Sequence, residues 1–262
     1  MRTLPKLMVA PNGARKTKAD HPALPMTLDE LVTTAIECHA AGADGLHLHL
    51  RDEDGGHILD AGMYRDALNA LRQAVPEMLL QITSEAVGIY GPAEQRRVVE
   101  QAKPEAASVS LAEMLADGER REAVAFYDRC AQADIAVQHI LYGPQDLETM
   151  SDLLDDGSLN REDLQLIFVL GRYTQGQQSS PADLNPFVTW MQQTCPISQW
   201  AVCAFGKQET ACLGAALAQG GNARVGFENS FWNADGTIAA SNAERVREVM
   251  ALPRATGNFA AS

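Results

Sequence analysis

Gly45-Leu46-His47-Leu48-His49-Leu50 is a short apolar run interrupted only by two imidazoles, and it is followed by a helical stretch from Asp60 to Val75. Met78-Leu79-Leu80-Gln81-Ile82-Thr83 then repeats the apolar run. A strand, a crossover helix and another buried strand make a parallel βαβ unit. The same grammar extends in both directions. Leu7-Met8-Val9-Ala10 precedes a helix opened by Thr27 and Glu30, which have the spacing of a capping box. Downstream, apolar runs recur at Ala107–Leu111, Ile135–Leu141, Gln165–Gly171, Trp200–Ala204 and Ala223–Phe227. Helical stretches separate them: one with Pro92 at its first position, one from Arg120 to Ala133, one capped by Ser180-Pro181, and one from Gln208 to Gln219. A last helix starts at a second capping-box spacing, Ser241-Asn242-Ala243-Glu244.

Eight strand–helix units in 262 residues, with no long linker and no composition break, predict an α/β chain: one (β/α)8 TIM barrel, a single domain over residues 1–262. A doubly wound open sheet would carry a Gly-rich phosphate loop after its first strand, and Pro11-Asn12-Gly13-Ala14-Arg15 is not one. The 34 acidic against 21 basic residues leave a formal charge of −13, which argues against binding nucleic acid or an anionic membrane face. No apolar stretch reaches the ~20 residues of a membrane span, and Met1–Lys6 has no apolar leader core. Five cysteines without CxxC spacing read as reduced, buried thiols, so a cytoplasmic protein is expected.

In a strand, side chains alternate faces, so His47 and His49 point the same way. Two imidazoles on one face of a buried strand need partners. Either they are hydrogen-bonded core histidines or they hold a divalent metal. Arg224-Val225-Gly226-Phe227-Glu228-Asn229 ends the eighth strand, at the end of the barrel where catalytic residues collect. Strands two and eight both flank strand one, so Glu228 comes within reach of the histidines. Glu228 is then a third ligand, a partner of Arg224, or a rim carboxylate. Two imidazoles and one carboxylate suit catalytic Zn²⁺ or non-haem Fe(II), with cobalt and nickel also compatible.

Along nearly its whole length the chain resembles the β-keto acid cleavage enzymes, the family of 3-keto-5-aminohexanoate cleavage. The resemblance rests on Ala14, His21-Pro22-Ala23-Leu24-Pro25, His47-Leu48-His49-Leu50-Arg51, Lys103-Pro104-Glu105, Phe168-Val169-Leu170-Gly171 and Gly220–Glu228. It implies a zinc-bearing barrel that condenses a β-keto acid with acetyl-CoA, giving acetoacetate and a new acyl-CoA, with His47, His49 and Glu228 on the metal. It also implies a homo-oligomer, as relatives with this fold commonly assemble. Arg224 has the charge and place to stabilise developing negative oxygen. Thr83, Ser84 and Ser108 fall on hydroxyl positions of the family; they would bind the substrate's carboxylate or an oxyanion, or cap the turn at the strand end.

Four departures from the family pattern bear on mechanism. Asn229 stands where an aspartate usually follows the metal-binding glutamate, and an amide cannot accept a proton. Glu85, after Thr83-Ser84, is the candidate relocated carboxylate. Gln138 replaces a glutamate on strand five and would orient a water or ligand, while His139 faces the other way as a structural histidine. Arg15 replaces a glutamate expected to face an ammonium tail; with Lys16 and Lys18 nearby, either the loop is a solvated basic one, or it predicts a neutral or anionic tail, or contact with CoA phosphates. His21 would gate the mouth or serve the geometry of a His-Pro turn, and His39 and His57 read as surface residues. Phe231-Trp232 would cover the site or a subunit interface. Asn229 also leaves room for another metal-dependent C–C lyase or hydrolase, or for a non-catalytic metal- and ligand-binding homologue.

Overall fold

The computed structural model describes residues 3–255. Eight parallel strands close a barrel: β1 (Leu7–Val9), β2 (Gly45–Leu48), β3 (Leu79–Thr83), β4 (Ala106–Ser110), β5 (Ala136–Leu141), β6 (Gln165–Leu170), β7 (Gln199–Ala204) and β8 (Asn222–Val225). Their order around the barrel follows the chain, and β1 closes it by pairing with β8 (Met8 opposite Arg224) and with β2 (Met8 opposite Gly45). The main helices are α1 (Leu28–Ala40), α2 (Ala61–Ala74), α3 (Pro92–Ala102), α4 (Arg120–Gln132), α5 (Pro144–Asp155), α6 (Asn185–Thr194), α7 (Glu209–Ala218) and α8 (Asn242–Met250). Among the described residues, no helix is long and apolar enough to cross a membrane.

The alternation of each strand sorts its side chains. Leu46, Leu48, Leu80, Ile82, Val109, Phe168 and Val225 join the large core between strands and helices. A separate cluster of Ile140, Ile167, Val169, Ala201, Cys203 and Phe205 belongs to the opposite strand faces, inside the barrel. The inner positions of β2 to β5 and β8 are instead polar: His47, Gln81, Ser108, Gln138 and Arg224 are all buried.

Local signals in the sequence explain the helix starts. Thr27 and Glu30 form the reciprocal capping box, Pro92 occupies the first turn of α3, and Ser180 pairs with Asp183 ahead of a 3₁₀ turn that leads into α6. At α8 the box is half made. Ser241 Oγ accepts from Glu244 N–H, but the Glu244 carboxylate accepts from Ala240 N–H and Asn233.

The second strand ends earlier than expected. Pairing stops at Leu48, and Leu50–Arg51 turns out of the barrel to form an antiparallel ribbon with His57–Ile58. Likewise Gly226 leaves β8 with φ 143, so Phe227 and Glu228 belong to the turn after the strand. An added Cβ at Gly226 would sit 2.4 Å from the Ala10 carbonyl oxygen, which only glycine tolerates.

Candidate metal and substrate site

His47 and His49 do share a face: their Nε2 atoms are 3.1 Å apart. Glu228 closes the triangle, with Oε2 3.7 Å from His47 Nε2 and Oε1 3.6 Å from His49 Nε2. One ligand atom from each of the three lies within 4.8 Å of the others. The donor set is two imidazoles and a carboxylate. Burial, reinforced by the Arg224 charge, pushes His47 well below the ordinary imidazole range. Burial alone would raise Glu228, but Arg224 and both imidazoles outweigh it and hold the carboxyl well below the usual range. Among the described residues, Glu228 Oε2 and His49 Nδ1 are buried without a hydrogen-bond partner. Two imidazole nitrogens and a carboxylate at this spacing, with Glu228 Oε2 left unsatisfied among them, fit a divalent transition metal.

The loops hold this triangle tightly. Lys16 Nζ donates to the Phe227 and Glu228 carbonyls at 2.9 and 3.0 Å. Asn242 accepts from Phe227 N–H and donates to the Pro11 carbonyl. The guanidinium of Arg51 reaches the Gly13, Lys16 and Gly55 carbonyls, tying the loop after β1 to the end of β2. Gly13 has φ 64, and an added Cβ would lie 2.6 Å from Glu228 Cγ.

These ligands line a cavity at the C-terminal end of the barrel, together with Arg15, Thr83, Glu85, Tyr142, Arg172, Phe205 and Arg224. Arg224, 4% exposed, gives one N–H to Cys203 Sγ at 3.4 Å and sits 3.7 Å from Glu228 Oε1, while its Nε and Nη1 have no acceptor. A buried guanidinium with free donors beside the ligand triangle is suited to an anionic oxygen. Glu85 Oε2 is 4.0 Å from His49 Nδ1, and its Oε1 accepts from Arg172 Nη2 at 2.9 Å. Thr83 Oγ1 accepts from Glu85 N–H, so it shapes the turn that aims the carboxylate.

Other candidates lie elsewhere. Ser84 gives its hydroxyl to the Ser108 carbonyl, and neither serine lines the cavity; Ser108 Oγ is buried without a partner. Gln138 is also behind the cavity wall, bonded to Gln81 and to the Leu166 carbonyl, so it meets a neighbouring amide in place of a ligand. Asn229 is buried, and neither side-chain polar atom finds a hydrogen-bond partner.

Several histidine and loop expectations are corrected. His57 is buried, not a surface residue: the Leu50–Arg51/His57–Ile58 ribbon folds its ring to 5.2 Å from that of His49, and Nε2–H donates to the Glu85 carbonyl. Burial pushes its pKa down to about 3. His21 does not gate the mouth. It is wedged against Phe227 and Phe231, accepting from Ala23 N–H at Nδ1 and donating from Nε2 to the Ala239 carbonyl. Phe231 packs there too, and neither it nor Trp232 lines the cavity. Of the basic loop, Lys16 serves backbone carbonyls and Lys18 pairs with Glu30, leaving Arg15 exposed at the cavity rim.

Sequence reasoning missed Arg172 and Gln81. Gln81 had a signal, a lone amide inside an apolar strand. Arg172 had none beyond its place just after the sixth strand.

The chain is similar to known proteins along most of its length. The chain is 25% identical over 260 residues to a 3-keto-5-aminohexanoate cleavage enzyme of Fusobacterium nucleatum, covering 94% of this chain and 89% of that one. It is 26% identical over 259 residues to a 3-oxoadipate:acetyl-CoA acetyltransferase of Cupriavidus necator, covering 94% and 87%. Among solved structures, the binary complex of ObcA with oxaloacetate shares the fold, with a TM-score of 0.69 at 16% identity over 87% of this chain and 63% of that chain. The family model for beta-keto acid cleavage enzyme matches residues 6–262, and the chain belongs to that family.

Proposed function

We propose that the protein is a zinc-dependent β-keto acid cleavage enzyme. It condenses a β-keto acid bearing a neutral or anionic tail with acetyl-CoA and releases acetoacetate and a new acyl-CoA. The observation that carries this reading is the convergence of His47, His49 and Glu228 within 4.8 Å, at the base of a cavity that also holds Arg224. A divalent ion held by the three would supply Lewis-acid polarisation of the keto oxygen.

The chain's own residues do the rest. Arg224 offers its free Nε and Nη1 donors to the oxygen that gains charge as the carbon–carbon bond breaks. Glu85 is the carboxylate available to take a proton, held in place by Arg172 and by the turn at Thr83. Asn229, an amide, cannot share that task. The cavity lining carries four cations (Arg15, Lys16, Arg172, Arg224) against two carboxylates (Glu85, Glu228), in a chain of net charge −13. That local excess favours an anionic reactant. It agrees with a relative named for 3-oxoadipate, a dicarboxylate.

The test is a panel of β-keto acids incubated with acetyl-CoA, with mass detection of acetoacetate and of the new thioester, alongside elemental analysis. Both products and about one zinc per chain are expected. Asn229 favours a second reading, a metal-dependent C–C lyase or hydrolase, and cleavage that ignores acetyl-CoA would establish it instead. Protein that carries no transition metal would overturn the zinc site.

A further inference from the structure

Gln81 and Gln138 form a chain of amides that runs from the barrel wall to a candidate metal ligand. Gln138 Nε2 lies 3.3 Å from the Leu166 carbonyl oxygen. A carbonyl can only accept, so this end of the Gln138 amide must be its NH₂. Its oxygen therefore faces Gln81, and Gln81 Nε2 donates to it at 3.0 Å. The Gln81 oxygen is then fixed toward His47 Nδ1, 2.8 Å away, and can only accept there. His47 must carry its proton on Nδ1. Its Nε2 lone pair is left facing Glu228 and His49.

All three side chains are at most 2% exposed, so water does not compete for these bonds. His49 has no such brace: its Nδ1 is buried without a partner, and Glu85 Oε2 stands 4.0 Å off. The two imidazoles thus differ. One has its tautomer set by neutral amides before any ion arrives. The other has Glu85 Oε2 4.0 Å from its Nδ1, beyond hydrogen-bond reach.

We propose that Gln138 is a positioning residue. It acts through Gln81 to hold His47 in the Nδ1–H tautomer, with Nε2 ready to bind metal. This rests on the metal site proposed above, but its first prediction does not need the metal. Partners of this kind, one bond beyond a ligand, change metal affinity by about 10–100-fold in other proteins.

Nitrogen-15 NMR of the metal-free protein, with His47 signals assigned by their loss in His47→Gln, reads the tautomer directly. Nδ1–H is expected, and an Nε2–H form at His47 overturns the proposal whether or not the protein turns over any keto acid. Zinc competition with a chromophoric chelator supplies the second readout. Gln138→Met removes both hydrogen bonds at similar volume and should weaken zinc by about tenfold or more. In a Gln81→Glu background the carboxylate accepts from Nδ1–H in either orientation, so adding Gln138→Met should then cost no zinc affinity. Equal losses in the two backgrounds would mean that Gln138 acts only on stability, and would overturn the relay.

Discussion

Arg172 donates to Glu85 at 2.9 Å across the mouth of the barrel, although 87 positions separate them in the chain. The pair sets a carboxylate–guanidinium couple on the His49 side of the ligand triangle. Asn229, next to Glu228 in the chain, is a buried amide and contributes no charge. In this chain the acid closest to His49 Nδ1 comes from the turn after β3.

Replacing Glu85 by Gln keeps the size and removes the proton acceptor. Turnover should fall by about 10²–10⁴-fold, the usual contribution of a general base. Metal content should stay unchanged, because Glu85 is not among the three converging ligands. Steady-state kinetics with elemental analysis check both, and an active Gln variant would remove Glu85 from the chemistry.

Arg15 is the exposed cation at the cavity rim. Arg15→Glu should lower kcat/KM for keto acids with anionic tails and raise it for those with cationic tails. Identical rankings in the two proteins would show that the tail lies elsewhere.

Gly13→Ala places a methyl group 2.6 Å from Glu228 Cγ at a backbone angle that L residues avoid. The glutamate must shift, and metal affinity should drop by about tenfold or more, as for other disturbances next to a ligand. A chelator-competition titration measures it. The crowding extends to Glu228 Cβ at 3.1 Å and its backbone Cα at 3.3 Å, so circular dichroism is recorded to separate a local shift from a loss of fold.

Acid sensitivity should trace in part to His139, far from the ligands on the outer face of β5. Burial holds its imidazole at about 4, against 6.5 for an exposed one. Above pH 6.5 neither folded nor unfolded chain is protonated there, and there is no penalty. As the pH falls from 6.5 toward 4, the unfolded chain binds the proton first, so stability drops, by up to ~3 kcal/mol. His139→Leu should flatten the urea midpoint over that window. A variant with the parent's pH dependence would exclude this source.

Arg245 and Glu209 are both fully buried and bonded at 2.8 Å, and Glu209 also accepts from Gly226 N–H under the turn that carries Glu228. Removing one partner leaves a buried charge alone. Arg245→Leu should cost ~3–5 kcal/mol by urea unfolding, and the double variant Arg245→Leu/Glu209→Leu less than that single change.

How far the sequence disclosed this site follows from the range of each signal. The eight apolar runs and the helix caps are local, so they placed the barrel and most element ends to within a residue or two. His47 and His49 were legible because alternation in a strand is a two-residue rule. Glu228 was legible because strand order puts β2 and β8 beside β1. The coupling of Glu85 to Arg172, and of Gln81 to Gln138 across 57 positions, leaves no periodic trace. His57 was misread because a two-residue ribbon is too short to show alternation, and its burial comes from the ribbon folding over the barrel end. Lys16 looked like part of a solvated basic loop, yet the carbonyls it serves belong to a turn more than 200 residues away.

The three converging ligands come from the ends of β2 and β8, on one side of the barrel. The apolar and aromatic wall facing them (Ile140, Tyr142, Val169 and Phe205) comes from the ends of β5, β6 and β7 on the other. That separation lets the shape of the wall vary without displacing any of the three converging side chains.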